Sequence, residues 1–237
     1  MRTFTRSGRL VAIALTLTVL VAPAACSDDD TAQEPPAELL ARAKSALDAT
    51  ASVHFRLSST DVPGGGSRLI GGEGVAARPP AFQGKLDVLI SGGKVSIEVI
   101  SIGGQVYAKL PFAAGFQKTD PETLGLSDPA LLIDQRTGLS RLVANLRNAR
   151  RVGEARIDDE VVVQIDGDVD GQIVKETLTS ADPAQPVKVK AYVVKDSGQL
   201  RRAVLTGPFF VKGKDSTYTL VLDRYGEKVS ISAPPVD

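Results

Sequence analysis

Between Gly84 and Leu110 the chain places three short alternating runs between glycine pairs, and few folds accept that pattern. Side chains on a strand alternate faces with a period of two residues. Leu86, Val88 and Ile90 therefore share one face, opposite Lys85, Asp87 and Leu89. Val95, Ile97 and Val99 stand likewise against Lys94, Ser96 and Glu98, and Val106, Ala108 and Leu110 against Gln105, Tyr107 and Lys109. Gly92-Gly93 and Gly103-Gly104 provide residues that accept the positive φ of tight hairpin turns. The stretch predicts an antiparallel meander with one oily face, and that face needs a cover.

The rest of the chain can supply one. At 237 residues it is long enough for one sizeable domain. Apolar residues make up 43%, yet there is no Trp and aromatics are only 5%, so the interior is built from Val, Ile, Leu and Ala. Lysine plus arginine and aspartate plus glutamate balance at 28 each, with Arg2, Arg6 and Arg9 all in the first 25 residues. Without that segment 25 basic groups face 28 acidic ones, which leaves no electrostatic footprint for nucleic acid.

The three arginines precede an apolar run from Leu10 to Ala22, the pattern of a secretory signal peptide. A membrane span needs about 20 apolar residues, and this run falls short. It ends at Ala24-Ala25-Cys26, and Cys26 is the only cysteine. Small residues before a cysteine at that place resemble the lipobox of bacterial lipoproteins, with Pro23 where an aliphatic residue is usual. The resemblance implies cleavage before Cys26 and lipidation of its thiol, so residues 1–25 read as a lipoprotein signal peptide. Residues 26–36, with Asp28, Asp29, Asp30, Glu34 and two prolines, read as a lipidated tether. Residues 37–237 then form a single domain.

Within that domain Leu39, Leu40, Ala43, Ala46 and Leu47 make a helical stripe over 37–50, entered through Pro36. Val53, Phe55 and Leu57 alternate with His54, Arg56 and Ser58, predicting a strand. A second strand is expected from Arg68 to Ala77, with Gly71, Gly72 and Gly74 marking a bulge. Asp128-Pro129 opens a short helix, and a second is expected over Gly138–Asn148 on the stripe of Leu139, Leu142, Val143 and Leu146. Arg150–Ile157 and Val161–Asp166 form a hairpin turning at Asp158-Asp159, followed by a helix over Asp168–Leu178. Four strands close the chain: Val187–Lys195, Gln199–Thr206, Ser216–Asp223 and Val229–Ser232. The expected fold class is α+β, with eight to eleven strands and helices against one face of a curled antiparallel sheet.

Catalytic chemistry finds little support. The single histidine, His54, alternates out of phase with Val53 and Phe55 and reads as a partly exposed surface residue. No nucleophile elbow, phosphate loop or dinucleotide fingerprint occurs, so neither enzyme activity nor a cofactor is expected. Asp166, Asp168, Asp170 and Gly171 match the opening of a calcium loop, but the closing glutamate should fall at Thr177, and Glu176 is one place early. No metal site is expected. Alternation alone leaves two readings of the apolar face, a filled core or a void lined for lipid.

Asp128-Pro129-Ala130, Thr137-Gly138-Leu139, Ala144-Asn145-Leu146 and Tyr225-Gly226-Glu227-Lys228-Val229, with Pro234-Pro235 and the Gly103–Ala108 hairpin, resemble the actinobacterial envelope lipoproteins LppX, LprA, LprF and LprG. The resemblance implies a curved antiparallel half-barrel with helices packed on its concave face, enclosing an apolar cavity for multi-acyl lipids or glycolipids. By that analogy Leu86, Val88 and Ile90 line the cavity, with Val95, Ile97, Val99, Leu142 and Leu146 added from pattern. It further implies a protein anchored through Cys26 to the outer face of the cytoplasmic membrane, working with an export transporter. A non-catalytic scaffold or chaperone lipoprotein with a filled core is the other class that these residues allow.

Overall fold

The computed structural model describes residues 33–64, 66–90, 92–124 and 127–236, together with Met1 and Thr3. The signal peptide, Cys26 and most of the tether lie outside the described residues. Glu34–Asp237 is one compact unit.

Eleven strands form one sheet: β1 (Ser52–Thr60), β2 (Arg68–Ala77), β3 (Ala81–Ile90), β4 (Gly93–Ile102), β5 (Gln105–Lys109), β6 (Gln117–Lys118), β7 (Arg147–Ile157), β8 (Glu160–Val169), β9 (Val187–Val194), β10 (Leu200–Val211) and β11 (Lys214–Asp223). Their order is β6-β5-β4-β3-β2-β1-β11-β10-β9-β8-β7, with antiparallel pairing throughout, so the sheet is open and the first strand sits beside the last. The sheet is curved, with the helices on one face. The Gly84–Leu110 meander folds as its pattern predicts. Leu86 pairs with Ile97 and Val88 with Val95, and Gly103 and Gly104 turn the β4–β5 hairpin at φ of +61° and +74°. Gly74 and Gly84 face each other across β2 and β3 under the ring of Phe82. A methyl on either would lie within 2.8 Å of that ring, so no larger residue fits. Phe55 lies next to Phe82, with ring centroids 5.6 Å apart.

Helix α1 (Pro36–Ala49) begins with proline in its first turn and buries Leu39, Leu40, Ala43 and Leu47. The second helix is shorter than its stripe suggests. Helix α2 covers Leu139–Ala144 only, because from Arg147 onward the backbone pairs with β8, and Asn148 turns out at φ +52°. The helical pattern of one side chain in four is overridden by an eleven-residue ladder. Helix α3 likewise starts late, at Gly171–Thr177, because Asp166 and Asp168 belong to β8 opposite Lys190 and Lys188. The Asp128-Pro129 start opens a 3-10 turn, Pro129–Ile133, with the Asp128 carboxylate accepting from the Ala130 N–H at 2.9 Å. Val229–Ser232 is no strand. Both sides of β11 are already taken, by β1 and β10, so the tail runs on extended and meets the fold again where Val236 bridges Phe116.

Arg78, in the turn between β2 and β3, ties the covering layer to the sheet. Its guanidinium donates to the carbonyls of Thr50 and Leu47 at 3.1 Å each, and to that of Ile133. One cation thus satisfies the C-termini of α1 and of the 3-10 turn together. Arg78→Ala leaves those carbonyls without a donor and is expected to cost about 1.5–3 kcal/mol, measured by urea unfolding, with Arg78→Lys in between.

Candidate functional site

The apolar face and its cover do not meet everywhere. A cavity of about 90 Å³ lies between them. Its floor comes from the sheet: Phe55 and Leu57 of β1, Leu69 of β2, Leu86 of β3, Leu205 of β10, and Tyr218 and Leu220 of β11. Its roof comes from Ser127, Pro129 and Leu132, from Leu139 and Leu142 of α2, and from Thr177–Ser180 at the end of α3. A second space of about 20 Å³ lies beyond α2, lined by Leu40, Val143, Leu146 and Val189 among others, and it shares Leu139, Leu142 and Leu205 with the first. Those three leucines are the partition between the two.

The roof is knitted to itself by polar contacts. Arg141 of α2 pairs with Glu176 of α3 at 3.1 Å, the Thr177 hydroxyl donates to the Thr137 carbonyl at 2.9 Å, and the Ser127 hydroxyl donates to the Thr177 carbonyl. Asp134 accepts from the N–H groups of Arg136 and Thr137 and from the Thr137 hydroxyl. Partial burial works against its charge, but those donors outweigh it and hold the carboxyl below its ordinary value. Towards the sheet, by contrast, α2 presents mainly leucines. Ser101 of β4 donates to Asp128 at 2.6 Å, which fixes the 3-10 turn at one margin of the roof. Tyr218 is the polar atom of the floor: its hydroxyl donates to the Leu69 carbonyl at 2.6 Å, and burial pushes the phenol far above its ordinary pKa. The walls are mainly apolar, and across them the Tyr218 hydroxyl also meets the Ser180 side chain, a polar contact between floor and roof.

Leu86 and Leu142 line the larger cavity, and Leu142 and Leu146 line the smaller. Val88, Ile97 and Val99 are buried in the packed core beside it, and Ile90 and Val95 are half-buried against that core. Phe55, Leu57, Leu69, Leu205, Tyr218 and Leu220 were missed. Their alternation on β1, β10 and β11 was readable, but the pairing of β1 with β11 that makes them one floor was not.

His54 corrects an expectation: it is only 8% exposed. It lies on the sheet face opposite Phe55, with Nδ1 2.6 Å from Asp223, which also meets Arg56 at 3.0 Å. Partial burial raises the Asp223 pKa, but the hydrogen bond from His54 and the charges of His54 and Arg56 outweigh it, leaving the carboxyl below its usual range. The three calcium-like aspartates are separately engaged. Asp166 faces Arg150 at 3.6 Å, Asp168 accepts from Asn148 at 3.3 Å, and Asp170 caps α3 through the Gln172 N–H at 2.9 Å. Among the described residues no group of three or more His, Cys, Asp or Glu side chains could hold a metal ion.

A family model described as the LppX_LprAFG lipoprotein matches residues 35–231, which span floor, roof and both cavities. The chain belongs to the LppX_LprAFG lipoprotein family. The lipoarabinomannan carrier protein LprG of Mycobacterium tuberculosis H37Rv is 26% identical over 235 residues, 98% of this chain and 96% of that protein. Lipoprotein LprA of the same strain is 24% identical over 205 residues, 84% and 81% of the two chains. Among solved structures, LprF from Mycobacterium bovis superposes with a TM-score of 0.68 at 15% identity, covering 84% of this chain and 96% of that one. LppX from M. tuberculosis gives 0.61 at 18% identity, covering 83% and 98%. These two share the open, helix-covered antiparallel sheet. Among the described residues no helix is long and apolar enough to cross a membrane.

Two outcomes are expected. Leu142→Ala removes part of the partition and joins the two spaces, lowering stability by about 2–5 kcal/mol and increasing uptake of an apolar dye; calorimetry and dye titration check both. Because the Asp223 pKa is depressed in the folded state, its contribution is complete above the unfolded carboxylate value of 3.8 and is lost as pH falls through the lower folded one. His54→Gln is expected to shrink that acid-side loss in unfolding curves measured between neutral and acidic pH.

Proposed function

We propose that this protein is a non-catalytic lipid carrier of the cell envelope, holding the acyl chains of a multi-acyl lipid or glycolipid between the sheet and the α2–α3 roof. The observation that carries this reading is the cavity itself. Its lining is mainly apolar, with leucines in the majority, it sits between two layers, and apart from Ser180–Tyr218 and the margin held by Ser101 and Arg78 the layer above it is linked to itself. Each methylene withdrawn from water is worth about 0.8 kcal/mol, so one chain of roughly 16 carbons exposes on the order of 12 kcal/mol in transit. An apolar cavity offsets that cost. Residues 1–25 then act as the export signal, Cys26 carries the lipid anchor, residues 26–36 form the tether and residues 37–237 the carrier domain. The anchor holds the protein on the outer face of the cytoplasmic membrane, where an export transporter can load it. LprG, named as a carrier of lipoarabinomannan, supports the class of cargo.

The resting cavity is smaller than the roughly 300–1,000 Å³ usual for ligand sites. Loading therefore requires α2 to move and join the two spaces. The same small volume favours a second reading, an envelope scaffold or chaperone lipoprotein with an essentially filled core. Native mass spectrometry with lipid extraction, on protein expressed in an actinobacterial host, separates the two. A stoichiometric multi-acyl lipid supports the carrier, and a clean apo mass under gentle conditions supports the scaffold. Leu86→Trp places an indole in the larger cavity and is expected to abolish lipid co-purification while the protein stays folded. Undiminished lipid binding by folded Leu86→Trp would overturn the proposed site.

A further inference from the structure

Along one edge of the sheet the chain displays an apolar tip. Strands β5 and β6 are joined by Leu110–Phe116, in which the Ala113 N–H donates to the Leu110 carbonyl at 3.1 Å. Within that turn Phe112 has a φ of +69°, a conformation that bulky residues avoid, and its side chain is fully exposed. Leu110 is exposed by nearly half, and Pro111 and Ala114 are exposed as well. A strained backbone that holds an aromatic ring out in water does nothing for the core, and such outliers concentrate where a chain meets a partner.

The surrounding charge selects the partner. From Lys109 to Lys118 there is no acidic residue, and a lysine stands at each base of the loop. In the strand register Glu98 faces Lys109 and Tyr107 faces Lys118. An aromatic tip between lysines suits the interfacial region of a bilayer, where rings seat at headgroup level and cations meet anionic lipid. A second copy of the chain suits it poorly. One phenylalanine and half a leucine offer on the order of 250 Å² of contact, against about 800 Å² per partner in a stable interface.

We propose that the Leu110–Phe116 loop is a membrane-docking tip that inserts Phe112 into an anionic bilayer surface. The proposal goes beyond the carrier reading and does not depend on it, since docking can be scored whether or not a lipid occupies the cavity. The chain contains no tryptophan, so Phe112→Trp installs a single reporter at the tip, and Val152→Trp installs one at an exposed site on the edge strand β7. Each full-length variant is reconstituted with vesicles of phosphatidylglycerol in phosphatidylcholine, with and without brominated acyl chains. Tryptophan at 112 is expected to shift its emission to the blue and lose more than half of it to bromolipid, while tryptophan at 152 keeps its emission. Adding Lys109→Glu and Lys118→Glu to Phe112→Trp should abolish most of that quenching. Equal quenching at both sites, or none at 112, overturns the proposal. A blue shift at 112 that needs no vesicles and grows with protein concentration also overturns it and points to a second copy.

Discussion

The pairing of β1 with β11 is the contact on which the rest of this structure depends. It joins a meander built outward from the first strand to another that returns from the far edge, so residues separated by about the whole domain become neighbours: Phe55 opposite Leu222, Leu57 opposite Leu220. Without that ladder the protein would be two sheets, each with an exposed central edge and half an apolar face. With it, one continuous face runs from β3 to β10, and the helical layer has a single surface to cover. Such long-range pairing costs more chain entropy to form than any local hairpin in the molecule.

How the cover is attached then governs what the face can do. A layer held to a sheet by a dense polar network would be rigid, because each broken hydrogen bond leaves a buried group unpaired. Here the costly bonds lie mainly within the roof, between Arg141 and Glu176 and between Thr177 and Thr137. They also lie at one margin, where Ser101 and Arg78 hold the 3-10 turn. One further polar contact crosses the cavity, between Ser180 and Tyr218, and leucines make up most of the rest. Contacts between leucines can be exchanged for contacts with another aliphatic surface at little cost, since dispersion is non-directional. A roof fixed at one polar margin and at Ser180–Tyr218, and packed through leucines elsewhere, can exchange those leucine contacts for other aliphatic ones, as the proposed carrier role requires.

How much of this was legible in the sequence depended on the range of the interaction. The Gly84–Leu110 meander, the α1 stripe and the turn at Asp158-Asp159 are local patterns, and each folds as read. The resemblance carried in Asp128-Pro129-Ala130 and its companion segments pointed to the family that the match over residues 35–231 shows. What failed was everything decided by a distant partner. Arg147 and Asn148 continue a helical stripe but lie in a strand, because β8 was available to pair with them. Val229–Ser232 alternates like a strand and has no free neighbour. His54 is buried because Asp223, 169 residues away, comes to meet it. In the site, Leu86 and Leu142 could be picked out from their own elements, whereas Leu69 and Tyr218 matter only because β2 and β11 flank the same strand.

The two ends of the sheet are unlike, and the difference bears on how a tethered protein would stand. At the end where β1 begins, α1 lies across the strand termini. Arg42 donates to the carbonyls of Lys195 and Asp196 in the β9–β10 turn, and at the other end of the helix Arg78 reaches Leu47. The chain enters the domain through that closed end, with Glu34 paired to Arg42. The opposite end carries the β3–β4 and β10–β11 turns, and the larger cavity extends towards it through Leu69. Strands of ten residues separate the two ends by about 33 Å. The eight residues from Cys26 to Gln33 span at most about 29 Å when fully extended. A lipid on Cys26, as proposed, would therefore keep the α1 end of the domain within about 29 Å of the membrane.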